Sequence, residues 1–388
     1  VPVVLRLPRT KAAYASSPVD LLRTDALTVA AQYDLANGNT GLYAPALYDF
    51  DSVVCSRING GAWEFDGLSV VGAKGMWING QFEFRVLAHE LGHNYGLQHA
   101  NRLDPSGGDP LLGAHLESGD DYDMMGRNLS GQGLHFNEWF KVYLGWLGFH
   151  DAQVNGTVRL FRHDHSSASG TRAITVGQQS DRAYWLGYRR QDSANNFLNT
   201  GLEIRWGMQS ADSDPNTGLL VPGLTNDMAA SGSILLNMTP GVASFAQHPL
   251  PLNQTFYDSN NFVAITPTAV GGTAPAQYID VNIRFDPPRI TTQPQPLSLT
   301  ASIGDTVSLT VDALGILPLT YRWRFSSNGG STNNLVGETS QSLSFTVTGT
   351  NQAGYYSVRV ANRGGSTNSV DVLLTVAEAL NRSAGLQE

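Results

Sequence analysis

The pattern of hydrophobic and polar positions separates two regions before residue 286. Residues 1–150 mix two patterns, since TDALTVAAQYDLA has apolar residues at helical spacing and FDSVVCSRI alternates as a strand does. We predict an α+β domain for this region. Residues 151–286 contain short alternating segments bounded by Gly, Asn, Asp or Pro, which predicts an all-β sandwich domain.

The C-terminal region begins after a proline-rich segment. DPPRITTQPQP, residues 286–296, carries four prolines, and proline stiffens the chain and removes backbone donors, so we interpret this segment as a linker. Short strand patterns then recur at regular spacing up to residue 377. This layout predicts a second β-sandwich over residues 287–377, followed by a tail at residues 378–388.

Composition limits the classes of partner. The 388 residues include 24 Lys+Arg and 33 Asp+Glu, a formal net charge of −9, which opposes binding to nucleic acid or to anionic membranes. No apolar run approaches the roughly 20 residues that span a bilayer, so membrane insertion is not expected. The single cysteine, Cys55, excludes an internal disulfide and gives no indication of the compartment. Low charge and high glycine content fit an exported protein.

The stretch AHELGHNYGLQHAN, residues 88–101, carries the candidate chemistry. His89 and His93 are four residues apart and share one face of a helix, where both imidazoles can bind one ion. A turn lets His99 return as the third ligand. Three neutral imidazoles leave the fourth position of a tetrahedral zinc ion open, as catalytic zinc sites do. Glu90 is the candidate general base, which would deprotonate a zinc-activated water during peptide-bond hydrolysis.

The same stretch indicates where the helix begins and ends. Asn79 or Gly80 is the expected start, and Gly96 the expected end, since glycine accepts the left-handed conformation that terminates helices. Gly92 lies inside the helix at a cost of about 1 kcal/mol and is expected to permit a close backbone approach. An apolar stripe at helical spacing is predicted to bury the opposite side of the helix: Phe84, Leu87, Ala88, Leu91 and Tyr95.

Two motifs together resemble a known family. HELGHNYGLQH fits HExxHxxGxxH, the signature of metzincin metalloproteases, and DDYDMMGR at residues 120–127 resembles their Met-turn. With GLSVVGAKGMWING before and HFNEWFKVYLGWL after, the region of roughly residues 40–150 is most similar to the gametolysin-like family of secreted peptidases and its bacterial relatives. The resemblance implies a metzincin-type catalytic domain, secretion, and hydrolysis of peptide bonds in extracellular proteins.

The resemblance also implies roles for individual residues. Met125 would form the apolar floor beneath the metal, with Met124 as the alternative; Met125 is preferred because it directly precedes Gly126. An edge strand within residues 67–75 would bind an extended peptide by β-augmentation, through Leu68, Ser69, Val70, Val71 and Gly72. Family members carry further structure before the LP-containing segment, so an upstream segment is expected before Val1.

The C-terminal sandwich resembles a bacterial immunoglobulin-like domain. Trp323 in TYRWRF occupies the place of the core tryptophan, and NQAGYYSV resembles the tyrosine-corner pattern, with Tyr356 as the corner residue. Val311 and Val358 stand where that family has its two disulfide cysteines. Apolar packing is expected to substitute for the bridge.

Several alternatives stay open at this point. One zinc ion is the expected cofactor, and calcium is a further candidate because acidic residues precede the methionine pair: Asp104, Asp109, Glu117, Asp120, Asp121 and Asp123. Aromatic residues around Tyr184 and Trp206 indicate either a sandwich core or a sugar site. The protein is expected to be a monomer that binds protein or peptide substrates, and its C-terminal domains would bind a surface protein or glycan. The alternative function is an adhesin or binding protein that uses the zinc helix as a non-productive scaffold.

Overall fold

A computed structural model describes residues 6–39, 47–80, 82–106, 109–126, 135–179, 182–190, 201–208, 233–238 and 249–377. These residues contain helices α1 (Lys11–Ala15), α2 (Val19–Ala36), α3 (Phe84–Asn94) and α4 (Glu138–Tyr143). Among them, no helix combines the length and apolar character needed to cross a bilayer. The predicted tail at residues 378–388 and the first five residues lie outside the described part of the chain.

The strands up to residue 208 are β1 (Ser52–Cys55), β2 (Gly67–Ser69), β3 (Met76–Asn79), β4 (Asn101–Pro105), β5 (Gly113–Leu116), β6 (His150–Ala152), β7 (Gly156–Phe161), β8 (Ile174–Gln179), β9 (Arg182–Gly187) and β10 (Gly201–Met208). The next strands are β11 (Ser233–Leu236), β12 (Leu250–Pro251), β13 (Phe256–Asp258), β14 (Val263–Gly271) and β15 (Tyr278–Phe285). The last strands are β16 (Arg289–Thr292), β17 (Ser298–Ser302), β18 (Thr306–Thr310), β19 (Asp312–Leu314), β20 (Thr320–Ser326), β21 (Asn333–Asn334), β22 (Ser342–Thr346), β23 (Gly354–Asn362), β24 (Gly365–Asn368) and β25 (Val372–Ala377). The chain is therefore strongly β-rich and multidomain.

The chain divides into two compact units that do not follow the predicted domain bounds. The first unit comprises Val1–Ser106, Leu111–Gly148 and Glu203–His248, and the second comprises Gly107–Pro110, Phe149–Leu202 and Pro249–Glu388. Residues 203–248 were assigned to the middle domain from sequence, because their short strands resemble those around them. In the structure the described parts of this range, residues 203–208 and 233–238, belong with the N-terminal residues.

The first unit is built on a small mixed sheet. Its order is β1-β3-β2, with β1 parallel and β2 antiparallel to the central strand β3. Trp77 of β3 belongs to the cluster that Tyr14 and Leu22 of the first two helices join, whereas Met76 and Ile78 pack with Val86 of α3. Because neighbouring side chains of a strand point to opposite faces, β3 is covered by helices on both sides and is buried throughout.

A second set of strands in this unit brings distant segments together. β4 pairs with β5 in antiparallel register and with β11 in parallel register, so that Asn101 lies opposite Ile234. β11 in turn pairs with the Arg205 to Gly207 part of β10. The segment that follows His99 is therefore held by strands from more than 100 positions later in the sequence.

The second unit contains most of the described strands from the region predicted as a middle sandwich. Four strands form an antiparallel sheet in the order β13-β14-β15-β7, and β8 pairs with β6 and β9. Tyr184, Trp185 and Tyr188 of this unit and Trp206 of the first unit are all buried, with at most 5% of their surface exposed. The aromatic residues are therefore core residues, and the sugar-site alternative for them is wrong.

The C-terminal part of this unit is a sandwich with its own core. Trp323, Val311 and Val358 are completely buried in one cluster, which confirms that apolar packing fills the place of a disulfide. The hydroxyl of Tyr356 donates to the carbonyl of Gln352 at 2.8 Å, as a tyrosine corner requires. The predicted linker is only partly a linker, because Arg289–Thr292 forms β16 and pairs with β19.

Candidate metal centre and cleft

Helix α3 begins later than predicted. Its first residue is Phe84, with Glu83 as the N-cap, and it ends at Asn94, where Gly96 at φ +93° turns the chain. The predicted start at Asn79 or Gly80 is wrong, because Asn79 is the last residue of β3. The Asn79 side chain accepts from the Ile58 amide at 2.7 Å and donates to the Ile58 carbonyl at 2.8 Å. A residue that resembles a helix cap therefore joins a loop to a strand.

The buried face of α3 also differs from the predicted apolar stripe. Phe84 is 69% exposed and Tyr95 is 42% exposed, although Leu87 and Leu91 pack beside Val86. Three of the five buried residues of the helix are polar. The five are Val86, Glu90, Gly92, His93 and Asn94. The helix therefore places the face that carries Glu90 and His93, rather than its most apolar one, against the rest of the unit.

The structure brings the three predicted histidines together. The ring centroids of His89 and His93 are 4.8 Å apart, and His99 lies 5.3 Å and 4.9 Å from them. One ring nitrogen of each imidazole lies within 4.8 Å of those of the other two. The glycine turn at the end of α3 returns His99 to the helix, so the group has the size of a single-ion site.

Each of the three imidazoles is held through its Nδ1 atom. The Nδ1 of His89 lies 2.9 Å from the Met124 carbonyl, and that of His93 lies 2.7 Å from the Leu97 carbonyl. A carbonyl oxygen only accepts, so both Nδ1 atoms carry the proton. The Nδ1 of His99 contacts the Glu117 carboxylate at 3.1 Å. All three Nε2 atoms are therefore left with the lone pair that a metal ligand needs.

The electrostatics of the group favour neutral imidazoles. Burial lowers the pKa of His89 to about 3, with a further contribution from His93. Burial likewise lowers the pKa of His93 to about 4, and its bond to Leu97 acts in the opposite direction. Both rings are neutral at pH 7 and do not have to release a proton before they bind a cation.

Glu90 lies beside the histidines in the same cleft. Its side chain is 6% exposed, and the hydroxyl of Ser69 donates to its Oε2 at 2.7 Å. Burial raises the pKa of the Glu90 carboxyl to about 7, while the Ser69 hydrogen bond lowers it. A Cβ at Gly67 would lie 2.4 Å from Glu90 Oε1 and 2.6 Å from Val86 Cγ1, so only glycine fits where β2 crosses the helix.

Met125 lies against the helix that carries the histidines. It is completely buried, and a Cβ at Gly92 would approach its sulfur to 2.4 Å and the Phe136 ring to 3.1 Å. Gly92 therefore makes room for Met125, which gives a physical reason for a glycine inside α3. Met124 contributes its backbone carbonyl to His89 instead.

The predicted substrate strand is shorter than expected. Strand β2 covers only Gly67–Ser69, at the edge of its sheet, and residues 71 and 72 form a turn after it. Leu68 and Ser69 therefore lie on an edge strand as predicted, whereas Val70, Val71 and Gly72 do not. The turn is attached to α3, because the Asn94 amide donates to the carbonyls of Val70 and Gly75, both at 3.0 Å, and of Ala73 at 2.8 Å.

The strand, the turn and the helix enclose a cleft of about 410 Å³. It is lined by Gly67, Leu68, Ser69, Val71, His89, Glu90, His93, Gln98, His99 and Glu117. An edge strand, three imidazoles and a carboxylate thus face one space. The arrangement can hold a metal ion, bind an extended chain along β2, and accept a proton at Glu90.

Buried charges hold the methionine loop, which we define as residues 120–126. Asp123 accepts from the Met125 amide at 2.7 Å and from the Asn137 amide. Asp120 pairs with the completely buried Arg205 at 2.8 Å. Arg205 also pairs with Glu138 of α4 at 2.9 Å and Glu203 of β10 at 2.7 Å.

Three carboxylates around Arg205 keep its guanidinium charged. Burial lowers this pKa, but the carboxylates of Glu138, Asp120 and Glu203 together raise it well above its ordinary value. Sequence reasoning missed Arg205 because it lies 85 positions after its partner Asp120 and belongs to no motif. A buried cation thus links the loop, helix α4 and strand β10.

The acidic residues considered for calcium have other partners in the structure. Arg102 pairs with Asp104 at 3.0 Å and with Asp121 at 3.1 Å, and Glu117 pairs with His99. Within the described ranges, the acidic residues named for calcium do not gather into a group that could hold one ion. Calcium stays a prediction without a site among these residues.

Comparison with known proteins identifies the C-terminal region. The immunoglobulin domain family matches residues 287–362. A search of curated proteins returned no significant match. Three solved structures resemble part of the chain. A chimeric titin Z1Z2-Z1Z2 tandem, functionalised with a GRGDS peptide from fibronectin, is 15% identical with a TM-score of 0.20, over 30% of this chain and 64% of that one.

The tandem Ig repeats of Dlar are 13% identical with a TM-score of 0.21, over 30% of this chain and 81% of that one. DIP-gamma IG1+IG2 is 19% identical with a TM-score of 0.20, over 31% of this chain and 61% of that one. The chain thus spans less than two thirds of the titin and DIP-gamma structures. Together with the tyrosine corner and the buried tryptophan, the family match shows that the C-terminal region is an immunoglobulin-like domain.

Proposed function

We propose that the protein is a zinc-dependent endopeptidase of metzincin type, resembling the gametolysin-like peptidases. The observation that carries the proposal is the cleft in which three imidazoles with free Nε2 atoms and the Glu90 carboxylate lie beside an edge strand. Peptide substrates have the backbone groups that such a strand pairs with.

The donor set fits zinc. Neutral imidazole nitrogen is a preferred zinc ligand, and His89, His93 and His99 supply three such atoms. Among the described residues, no fourth His, Cys, Asp or Glu joins the group. A three-ligand set supports a catalytic site with room for substrate rather than a closed structural site.

When bound, zinc acts as a Lewis acid that polarises the substrate carbonyl and makes water more acidic. Glu90 accepts the proton of the attacking water and then delivers it to the leaving amine. Ser69 fixes Oε2 of Glu90, so the carboxylate stays in the cleft between the two protonation events. The backbone of Leu68 and Ser69 pairs with the substrate and holds the cleaved bond near Glu90.

The first test is cleavage of fluorescently labelled casein by the full chain, with and without a zinc chelator. Glu90→Ala is expected to keep one zinc per chain, measured by elemental analysis, and to lose detectable cleavage. The matched control is Glu64→Ala, at an exposed carboxylate that does not line the cleft, which should cleave normally. Cleavage by Glu90→Ala at the wild-type rate would show that Glu90 is not the base.

A second candidate is a binding protein in which the zinc helix is a non-productive scaffold. The immunoglobulin-like domain is the feature behind this candidate, by analogy of fold alone. This candidate predicts one zinc per chain without turnover of any protein substrate. Extracellular substrates, secretion, a monomeric state and a surface protein or glycan as partner stay predictions in both cases.

A further inference from the structure

A second cavity lies next to the cleft. It has a volume of about 530 Å³ and lies at the amino end of β2 and the start of α3. Its lining is mostly polar: Ser56, Arg57, Asp66, Asn79, Gly80, Glu83 and Val86. Apart from Asn79, whose amide serves the neighbouring loop, no residue of this lining has a role in the site described above.

The cavity and the cleft meet at Gly67. Asp66, which lines the cavity, directly precedes Gly67 of the cleft, and Val86 of the cavity lies one turn before Glu90 of the cleft. A Cβ at Gly67 would touch both Val86 and Glu90, so β2 packs directly against α3 at the point where the two spaces adjoin. A substrate chain that follows β2 toward its amino end leaves the cleft beside Gly67 and continues toward the cavity.

The distance between the cleft and the cavity determines which substrate residue reaches the cavity. Four residues of a helix span about 6 Å, so Val86 lies about that far from Glu90 along α3. An extended peptide advances about 3.3 Å per residue, and side chains two residues apart point to the same side. A side chain about two residues from the cleaved bond, toward the amino end of β2, therefore enters the cavity.

The charges of the lining favour a cation. Arg57 is already engaged, since its Nη1 pairs with Asp66 and donates to the Asn79 carbonyl at 3.1 Å. Glu83 is exposed, its side chain makes no cap hydrogen bond, and no described cation pairs with it. Among the described residues, the Glu83 carboxylate thus has no partner cation, although it lies at the positive end of the helix.

Resting on the proposed function, we infer that this cavity is a subsite for a lysine or arginine side chain of the substrate. The cationic group binds Glu83, and the remaining polar lining accepts its hydrogen bonds. The charges of Arg57 and Asp66 offset each other, so the net negative charge of the lining is that of Glu83. The cavity therefore selects where along a protein the endopeptidase cuts.

The test maps cleavage sites in a peptide library by mass spectrometry for the wild type, Glu83→Gln and the control Glu64→Gln. We expect Lys and Arg to be enriched two residues from the bond on one side. Glu83→Gln should reduce this enrichment roughly three- to fivefold, the scale of one exposed ion pair, and the control should keep it. Glu83→Lys should favour acidic residues there.

A binding measurement separates the subsite from the catalysis. Fluorescein-labelled octapeptides of one sequence carry Lys, Gln or Glu at each position in turn, and fluorescence anisotropy reports their binding to the zinc-loaded Glu90→Ala protein. Lysine-selective binding that disappears with Glu83→Gln would support the subsite even if the wild type cleaved nothing, which would reject only the proposed function.

Cleavage or binding without a lysine preference, or a preference that survives Glu83→Gln, would overturn the subsite. A preference for Glu would overturn it as well and assign the cavity to Arg57.

Discussion

The Glu90 carboxylate owes its position to neighbours that are remote in sequence. Ser69 donates to Oε2, and Gly67 leaves the space in which the side chain lies against β2. A buried carboxylate with one fixed oxygen loses little freedom before it reacts, because its rotamer is already selected. The geometry of the base is therefore a property of two elements rather than of the motif alone.

Ser69→Ala should lower kcat/KM for peptide cleavage without loss of zinc. Removing the Ser69 hydroxyl takes away one hydrogen bond to a charged group, which corresponds to roughly a tenfold change. Stopped assays with a fluorogenic peptide give the rate, and elemental analysis gives the zinc content. Ser344→Ala, at an exposed serine of the immunoglobulin-like domain, is the control. An unchanged rate in Ser69→Ala would mean that the hydroxyl does not hold the base.

Glu117→Ala should weaken zinc binding. The Glu117 carboxylate accepts from His99 Nδ1 and orients that ring, and loss of such a partner costs about tenfold in metal affinity. Competition with a chromogenic chelator measures the dissociation constant. Glu64→Ala removes an exposed carboxylate elsewhere and should leave the affinity unchanged. If Glu117→Ala binds zinc as tightly as the wild type, the His99 ring is held by other contacts.

The sequence predicted the reactive residues but not those that hold them. His89, Glu90 and His93 follow a local spacing, and helical geometry alone places them on neighbouring turns. Ser69 and Glu117 are 21 and 18 residues from their partners, a separation that only the folded sheet and loops bridge. No local pattern encodes such a contact.

At the level of the elements, the main errors of the sequence-based prediction lie where side-chain contacts, rather than hydrophobic periodicity, determine the structure. Asn79 resembles a helix cap, but its amide satisfies loop backbone groups at the end of β3. Phe84 and Tyr95 fit an apolar stripe, but α3 buries the face that carries Glu90 and His93. Helical periodicity identified the helix and its end at Gly96 correctly. The start of α3 and its buried face depend on contacts with the neighbouring sheet, which helical periodicity does not contain.

The methionine loop is joined by backbone hydrogen bonds to the segment that carries His99. Ala100, next to His99, accepts from the Asp120 amide at 3.1 Å and donates to the Met125 carbonyl at 3.0 Å. At Gly126 a Cβ would lie 1.8 Å from the Asp120 carbonyl oxygen, which is backbone and cannot rotate away. The loop and the His99 segment must therefore shift together if that position carries a side chain.

Gly126→Ala should destabilise the protein by about 3 kcal/mol and weaken zinc binding, because the clash displaces the loop beneath the histidines. Urea denaturation followed by tryptophan fluorescence measures the free energy of unfolding. Gly148→Ala is the matched control, since a Cβ there meets no atom within 4 Å. Equal stability of the two variants would show that the loop tolerates the shift.

On the scale of the whole molecule, the compact units combine segments that are far apart in sequence. Arg205 and β11 belong to the first unit, although both lie within the region assigned to the middle sandwich. The parallel pairing of β11 with β4 and the Arg205 charge cluster join segments across more than 80 positions. An alternating pattern predicts which face of a strand is buried, but it does not predict which strands pair. The strands could therefore be predicted from the sequence, whereas their order in the sheet could not.

The immunoglobulin-like domain, by contrast, could be predicted almost entirely from sequence. Its core positions alternate along strands, and Trp323, Val358 and Tyr356 occupy the places that the pattern gave them. The missed parts are short strands without a marked pattern, namely β16, β17, β21 and β24. A fold of local hairpins with recognisable core residues is easier to predict than one that joins distant segments.

Trp323→Ala should destabilise the immunoglobulin-like domain and leave zinc binding and peptide cleavage unchanged. Trp323 is completely buried in that domain's core, and removing such a side chain costs about 3–5 kcal/mol. The three histidines, Glu90 and their hydrogen-bond partners all lie before residue 126, outside this core. Calorimetry should therefore show one transition at lower temperature, while zinc content and cleavage match those of Val336→Ala, a control at a 96% exposed residue of the same domain. Loss of zinc or of activity in Trp323→Ala alone would mean that the C-terminal domain contributes to the site.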